Sequence, residues 1–297
     1  MANIISTGFN SGSVDGEFAS LEADLRRLAD LGVETVELAL SSLDLVSGGR
    51  VIEERAKRLV ALTKSLPLRY TVHGLVNSNF MDPETNAYQL AAAKALVELC
   101  NRIGAGIIVQ HSGELRGEQI MERAGAVQRE RDTLAELAEF SAPHGVRVAL
   151  ENIFTTESGQ FRLTPSEVAA QVKAVAHPNL VATLDFGHAY LEANYRKLDY
   201  MSELEAMAPV TGHLHLSDNF GRAQGHYVPY FPQEATALGL GNLHLPLGWG
   251  DIAWDEIFSR LQFMPGTVMM MEIGARYAAE QPASLQRAKV LMALNAR

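Results

Sequence analysis

The chain has 297 residues, 47% of them apolar and 20% charged, which is the composition of a globular protein with one extensive core. Its net charge of −10 argues against a protein that grips a polyphosphate backbone, because that affinity comes from lysine and arginine. The single cysteine, Cys100, excludes an internal disulfide and fits a reducing cytoplasm. With no signal-peptide pattern at the N-terminus and no apolar run near the ~20 residues of a membrane helix, we predict a cytoplasmic protein without a membrane span.

Short apolar segments alternate with longer helical ones through the first half of the chain. Val148 and Leu150 are typical of the aliphatic residues that a buried strand favours. Leu21, Leu25 and Leu28 recur at the spacing of one helical face. Strands are predicted at 4–9, 35–40, 69–75, 106–110 and 147–153, and helices at 17–31, 52–66, 83–103 and 118–141.

The second half of the chain keeps this alternation. Thr164, Pro165 and Glu167 form the pattern of a helix start with a capping box. Strands are predicted at 180–184, 210–216 and 267–273, and helices at 195–208, near Trp254 and at 281–295. Eight strand–helix pairs predict an α/β fold, a single (β/α)8 TIM barrel over residues 1–297. The alternative is a doubly wound open sheet, but no glycine-rich phosphate fingerprint follows the first strand.

One interval, 219–247, breaks the alternation, because it is much longer than a usual connection after a barrel strand. It is rich in glycine and proline, and it carries four aromatic residues: Phe220, Tyr227, Tyr230 and Phe231. Long connections in compact domains are often functional, and aromatic faces pack well against sugars. We therefore expect a lid-like insertion after the seventh strand, with a dimerisation arm as the alternative.

Ionisable side chains stand at the predicted ends of six successive strands. They are His73, His111, Glu151, Asp185, His215 and Glu272. Singly, such a histidine is more often a hydrogen-bonded core residue, and such a carboxylate more often a helix cap or an ion-pair partner. In a barrel, however, the C-terminal ends of the strands surround the active site. A buried acid needs a compensating charge, so the set predicts a divalent metal site for Mn²⁺, Co²⁺, Zn²⁺ or Mg²⁺.

Two histidines near these strand ends are assigned by position. His213 and His215 point to the same face because side chains alternate along a strand. His215, nearer the strand end, is expected to reach the metal, and His213 to lie one layer deeper. His188 lies past the end of its strand, where it could touch a substrate instead.

Taken together, these motifs resemble the xylose-isomerase-like TIM-barrel superfamily, which includes sugar and sugar-phosphate isomerases and epimerases and the zinc-type apurinic endonucleases. The resemblance covers nearly the whole chain and depends on the order of the motifs. They are Val36-Glu37-Leu38, Thr71-Val72-His73-Gly74, Val109-Gln110-His111-Ser112-Gly113, Leu150-Glu151-Asn152, Leu184-Asp185-Phe186-Gly187-His188, His215-Leu216-Ser217-Asp218, Met271-Glu272-Ile273 and Gly248-Trp249-Gly250-Asp251-Ile252.

The resemblance implies a role for each site residue. In the ketose 3-epimerase type of site, the metal ligands would be Glu151, Asp185, His215 and Glu272. The residues expected to contact the substrate are Glu157, His188, His73, His111, Arg222 and His244. In the endonucleases the positions of His73 and His111 hold an additional metal, so a second ion there stays open. A third ion is not expected, because Asn242 stands where those enzymes have an aspartate.

The function expected from this resemblance is a metal-dependent sugar isomerase or epimerase. One divalent ion, Mn²⁺ first among the candidates, would polarise the carbonyl of a ketose, with Glu151 and Glu272 as the catalytic acid and base. A lyase or dehydratase acting on a keto-sugar or a dehydroshikimate-like acid is the alternative, and an endonuclease is disfavoured by the acidic charge. The expected partner is a small-molecule sugar and not a nucleic acid or membrane, and homo-oligomerisation stays open.

Overall fold

Eight parallel strands close into a barrel in the computed structural model, which describes residues 3–296. The strands, numbered in chain order, are β1 Ile4–Ser11, β2 Thr35–Ala39, β3 Arg69–His73, β4 Ile107–His111, β5 Arg147–Glu151, β6 Leu180–Asp185, β7 Thr211–Leu216 and β8 Thr267–Met271. Each strand pairs with its neighbours in sequence, and β8 pairs with β1. The predicted (β/α)8 barrel is therefore confirmed.

Ten α-helices accompany these strands within residues 3–296. They are α1 Phe18–Asp30, α2 Glu53–Lys64, α3 Asn86–Ile103, α4 Arg123–Ser141, α5 Pro165–Val175, α6 Phe186–Arg196, α7 Tyr200–Met207, α8 Pro232–Leu238, α9 Trp254–Arg260 and α10 Gln281–Asn295. The predicted capping box is present at α5, where Thr164 accepts the Glu167 amide and Glu167 accepts the Thr164 amide. No helix in the described part of the chain is both long and apolar enough to cross a membrane.

The prediction of one helix over 195–208 was wrong. The chain forms α6 and α7 instead, with a break at Lys197, whose φ of 59° is left-handed. Asp199 then caps α7 by accepting the amide of Ser202 at 2.7 Å. The helix predicted from 118 begins only at Arg123, after a 3-10 turn over 117–122. The break at Lys197 carries no glycine or proline, which explains why periodicity alone missed it.

The barrel interior has an apolar floor beneath a polar end. Ala149, Val181, Val268 and Met270 pack together with Ile107 inside the barrel. Because side chains alternate along a strand, Ala149 lies on the same inward face as Glu151, two residues further on. The same spacing relates Met270 to Glu272. Water is thus excluded from below, and the ionisable side chains occupy the last inward layer of the strands.

The 219–247 interval is folded rather than irregular. It contains α8, and its two ends are joined by reciprocal backbone hydrogen bonds between Asp218 and Leu245, at 2.9 and 3.1 Å. The backbones of Arg222 and Leu240 form a second isolated bridge inside it. Asp218 also accepts hydrogen bonds from Gly248 and from the Trp254 indole, at 2.8 and 3.1 Å. The insertion is therefore anchored to the barrel at both ends.

Candidate metal centre at the carboxyl end of the barrel

Four side chains from neighbouring strands converge above the apolar floor. Glu151, Asp185, His215 and Glu272 each offer a ligand atom, and these atoms all lie within 4.8 Å of one another. The first three end β5, β6 and β7 or lie next to the end, and Glu272 directly follows β8. All four are buried. The structure thus brings together the four residues that the resemblance implied as metal ligands.

His215 is held in one orientation by two carboxylates on opposite sides. Its Nδ1 lies 3.2 Å from Glu151 Oε1 and 3.7 Å from Glu272 Oε1, and therefore faces the cluster. Its Nε2 lies 2.8 Å from Glu37 Oε1, on β2 across the barrel. Burial alone would raise the pKa of Glu37, but His215 and His213 hold that pKa well below its ordinary value. A charged carboxylate behind a ligand histidine is the common way to fix its tautomer and ring orientation.

The unpaired oxygens in this cluster fit a divalent cation. Glu151 Oε2 and Asp185 Oδ2 are buried and make no well-aligned hydrogen bond, although imidazole nitrogens lie 3.2 and 3.6 Å from them. Leaving such atoms unpaired is costly, and burial raises the pKa of Asp185 accordingly. Burial alone would also raise the pKa of Glu151, but His215 and His111 hold it well below its ordinary value. Three carboxylates and one imidazole suit Mn²⁺, Zn²⁺, Co²⁺ or Mg²⁺.

His73 and His111 form a second group around the same glutamate. Their Nε2 atoms lie 3.6 and 3.2 Å from Glu151 Oε2 and 3.3 Å from each other. The three residues could also hold an ion, since their ligand atoms lie within 4.8 Å. Glu151 would then be shared by two ions. The geometry therefore leaves room for the additional metal that the sequence left open.

A series of hydrogen-bonded side chains runs from the first turn of α6 to the insertion. His188 Nδ1 donates to the carbonyl oxygen of Asn152 at 3.1 Å, and His244 Nδ1 donates to the carbonyl oxygen of Glu272 at 2.7 Å. In both imidazoles Nδ1 is assigned the proton, because a carbonyl oxygen can only accept a hydrogen bond. The amide of Asn242 lies between the two Nε2 atoms, at 3.0 and 2.9 Å. These hydrogen bonds link His188, at the start of α6, with Asn242 and His244 near the end of the insertion.

A central cavity of about 370 Å³ opens directly above the cluster. Its walls include Glu151, Glu272, His73, His111, His188, Asn242 and His244, and also Asn10, Ala39, Phe154 and Arg162. Phe154 packs against the His188 ring with centroids 5.0 Å apart. Arg162 Nη2 pairs with Glu114 Oε2 at 2.6 Å. The sequence did not indicate Phe154 or Arg162, because neither belongs to a strand of the barrel.

Two residues expected to contact the substrate, Glu157 and Arg222, do not line the central cavity. Glu157 lies on the loop after β5, half exposed and paired with Arg116. Arg222 is exposed, and it donates to the carbonyl oxygen of Leu238 at 2.9 Å and lies over the Phe220 ring. Both assignments came from motif spacing along loops, and that spacing does not fix direction in space.

The four aromatic residues of the insertion also lie outside the central cavity. Tyr230 and Phe231 are 84% and 58% exposed, and they pack edge to face on each other with centroids 4.7 Å apart. Phe220 packs instead against the small apolar cluster of the insertion, around Leu243 and Leu245. Within the described residues, the aromatic wall of the central cavity is provided by Phe154. The expected cover of four aromatics is therefore not seen in this conformation.

Residues 25–293 match the family model of the xylose isomerase-like TIM barrel, and the chain belongs to that family. The uncharacterized protein MJ1311 of Methanocaldococcus jannaschii is 22% identical over 249 residues, 82% of this chain and 75% of that protein. A D-tagatose 3-epimerase-like protein superposes with a TM-score of 0.74 at 18% identity, covering 97% of this chain and 98% of the other. A D-psicose 3-epimerase from Clostridium cellulolyticum, solved with D-tagatose, gives 0.67 at 16% identity over 98% of each chain. At these identities the likeness to the solved structures establishes the fold.

Proposed function

We propose that this protein is a divalent-metal-dependent sugar isomerase or epimerase that transfers a proton at the carbon next to the carbonyl of a ketose. The observation that carries the proposal is that Glu151 and Glu272 line one cavity and both belong to the buried ligand cluster. Two structures with the same fold are described as a D-tagatose 3-epimerase-like protein and a D-psicose 3-epimerase, which supports a sugar as the substrate class.

The residues that would hold the metal are Glu151, Asp185, His215 and Glu272. Mn²⁺ is our first choice, with Zn²⁺, Co²⁺ and Mg²⁺ compatible with the same donors. When bound, the ion supplies Lewis-acid polarisation of the sugar carbonyl, which lowers the basicity that a carboxylate needs to remove the neighbouring proton. Glu37 keeps His215 Nδ1 directed at the ion by its contact with Nε2.

Two carboxylates facing one cavity can perform both proton transfers. Glu151 and Glu272 both approach His215 Nδ1, at 3.2 and 3.7 Å, and they come from different strands, β5 and the end of β8. A carbon held between them presents a different face to each carboxylate. Removal of a proton by one and return by the other inverts that carbon, whereas return to the adjacent carbon gives the isomer.

The remaining wall residues would bind and orient the sugar. His73, His111, His188 and His244 line the central cavity with polar ring atoms suited to hydroxyl groups. Phe154 offers an aromatic face for the apolar side of the sugar. Glu157 and Arg222 have no part in this proposal, because neither lines the central cavity.

Solvent deuterium exchange tests the proposal. The Mn²⁺-loaded protein is incubated in D₂O with a panel of ketoses and keto-glycosides, and the products are followed by NMR. We expect deuterium at the carbon next to the carbonyl, together with an epimer or isomer. Elimination products would assign a lyase instead. Turnover without deuterium in the product would favour a hydride shift and would exclude Glu151 and Glu272 as the bases.

A further inference from the structure

The central cavity is not isolated, because two further cavities share its walls. The β1-side cavity, about 530 Å³, shares Asn10, Ala39, His244 and Glu272 with it. The insertion-side cavity, about 380 Å³, shares Phe154 and Asn242 with it. Each has the size of a small-molecule pocket by itself. A single monosaccharide held at the ligand cluster would therefore leave adjoining space for a further substrate group.

The β1-side cavity is lined mainly by small and neutral polar residues. Four serines contribute to it: Ser11, Ser13, Ser20 and Ser42. The boundary with the central cavity is formed partly by Ala39, whose short side chain lines both spaces. These hydroxyls donate within the protein, for example Ser11 to Asp24 and Ser42 to the carbonyl oxygen of Ala39, both at 2.7 Å, but their oxygens can still accept from a polyhydroxylated group.

The charged residues at the β1-side cavity favour a neutral substrate group over a phosphate. In the β1-side cavity, Arg27 donates twice to Asp24 Oδ1, at 3.0 and 2.7 Å, and once to Gln281 at 2.7 Å. Asp15, in the turn before α1, accepts hydrogen bonds from Ser13 and Ser20 of the cavity wall, at 3.1 and 2.6 Å. A phosphate would need an unpaired arginine or lysine, whereas here Arg27 already holds a carboxylate and a second carboxylate is bound to the wall serines.

The other two cavities have the same electrostatic character. Arg116, in the insertion-side cavity, pairs with Glu114 and Glu157. Arg162, in the central cavity, also pairs with Glu114. Among the residues described, no lysine lines any of the three cavities. A phosphate group would thus meet neutralised cations next to an excess of acidic groups.

We propose that the substrate is an uncharged keto-sugar that carries a second polyhydroxylated group, such as a glycosyl residue, and that this second group lies in the β1-side cavity. The inference rests on the proposed function and narrows its substrate class. The β1-side cavity is chosen over the insertion-side cavity because it is larger and because it borders the catalytic Glu272 directly.

A matched set of three compounds tests the substrate class. Solvent deuterium exchange is measured with a free ketose, its phosphate ester and its glycosyl derivative. We expect kcat/KM for the glycosyl derivative to exceed that of the free ketose by at least about tenfold, and the phosphate ester to be the poorest. Preference for the phosphate ester, or equal use of the free and glycosylated ketose, would overturn this inference and leave the proposed function intact. Exchange into none of the three would remove both.

A matched pair of variants tests the location. Ala278 and Ala279 are both exposed, but only Ala278 lines the β1-side cavity. With Ala278→Trp, we expect the ratio of KM for the glycosyl derivative to KM for the free ketose to rise about tenfold, because the indole fills the cavity. Calorimetric binding of the glycosyl derivative should weaken in parallel, and Ala279→Trp should change neither quantity.

A variant in the insertion-side cavity tests the alternative location. Ala223 is exposed and lines that cavity, so Ala223→Trp fills it without disturbing the barrel. We expect the KM ratio to stay at the wild-type value in this variant. A rise with Ala223→Trp and none with Ala278→Trp would overturn the assignment to the β1-side cavity.

Discussion

The side chains at the carboxyl ends of the barrel strands, here called the ring, are positioned differently from those on the surrounding loops. In the ring, Glu151, Asp185 and His215 are fully buried, and hydrogen-bonded strand pairing sets their positions. On the surrounding loops, Glu157 and Arg222 are exposed and are held only by local ion pairing or by a backbone contact. Register along a closed barrel therefore predicts where a side chain lies, whereas spacing along a loop does not. The following experiments test this contrast, from the largest expected effect to the smallest.

Removing two ring ligands should abolish metal binding. Asp185→Asn together with His215→Ala deletes one charge and one donor of the cluster, so we expect the purified protein to lose its bound divalent ion and its activity. Elemental analysis measures the metal, and circular dichroism checks that the barrel has folded. Full metal occupancy in this double variant would disprove the ligand assignment.

Glu272→Gln should remove a proton-transferring group while keeping its shape. We expect kcat to fall by about 10²- to 10⁴-fold, with part of the metal retained. Glu157→Gln is the matched control on a loop, since that side chain lies outside the central cavity, and it should keep near wild-type activity. A similar fall in kcat in both variants would show that a position in the ring does not matter more than a position on the loop.

Glu130, on α4 behind the ring, should make folding stability depend on pH. Burial raises its pKa to about 7, although it accepts the amide of Gly113 at 2.6 Å. As the pH rises from the ordinary glutamate value of 4.5 to about 7, the unfolded chain loses this proton first, so the free energy of unfolding falls. The contribution is fully lost above about pH 7 and amounts to roughly 3 kcal/mol.

The test of this pH dependence is denaturant unfolding of Glu130→Gln at several pH values. Glutamine cannot ionise and keeps an oxygen for the Gly113 amide, so the slope of stability between about pH 5 and 7 should become flatter than in the wild type. Glu136→Gln, on the exposed face of the same helix, serves as the control. An unchanged slope in Glu130→Gln would show that another group titrates.

Glu37→Gln should lower the metal affinity, although Glu37 is not one of the four proposed ligands. The variant loses the charge that orients His215, and outer partners of this kind contribute about 10- to 100-fold in metal affinity. Titration of the metal-free protein with Mn²⁺ measures the change, and Glu37→Asp should restore part of the affinity. Wild-type affinity in Glu37→Gln would mean that packing alone orients the histidine.

The smallest effect is expected from the aromatic residues of the insertion. Tyr230 and Phe231 are exposed, so replacing both with alanine should change kcat/KM by less than about threefold. A much larger loss with intact metal binding would show that the insertion closes over the ligand during turnover. A change in oligomeric state measured by light scattering would instead favour the dimerisation arm.

The sequence by itself determined the barrel and which side chains lie at the carboxyl ends of its strands. Alternation of short apolar and long amphipathic segments predicted eight strand–helix pairs, and all eight strands are present. The ends of parallel strands must meet at one face, so the sequence alone groups His73, His111, Glu151 and the other strand-end residues. Hydrogen-bonded register and side-chain alternation are local rules, and they extend around the closed sheet without further information.

Only the tertiary structure decided how the ring is supported and what surrounds it. Glu37 and His215 lie 178 positions apart in sequence, and only barrel closure brings their side chains within 2.8 Å. Phe154 and Arg162 reach the central cavity from the segment after β5, where residues 160–162 pair with 114–116, while Glu157 between them turns away to Arg116. Loop paths depend on caps, ion pairs and packing between distant segments. These contacts have no period in the sequence, and only the folded chain reveals them.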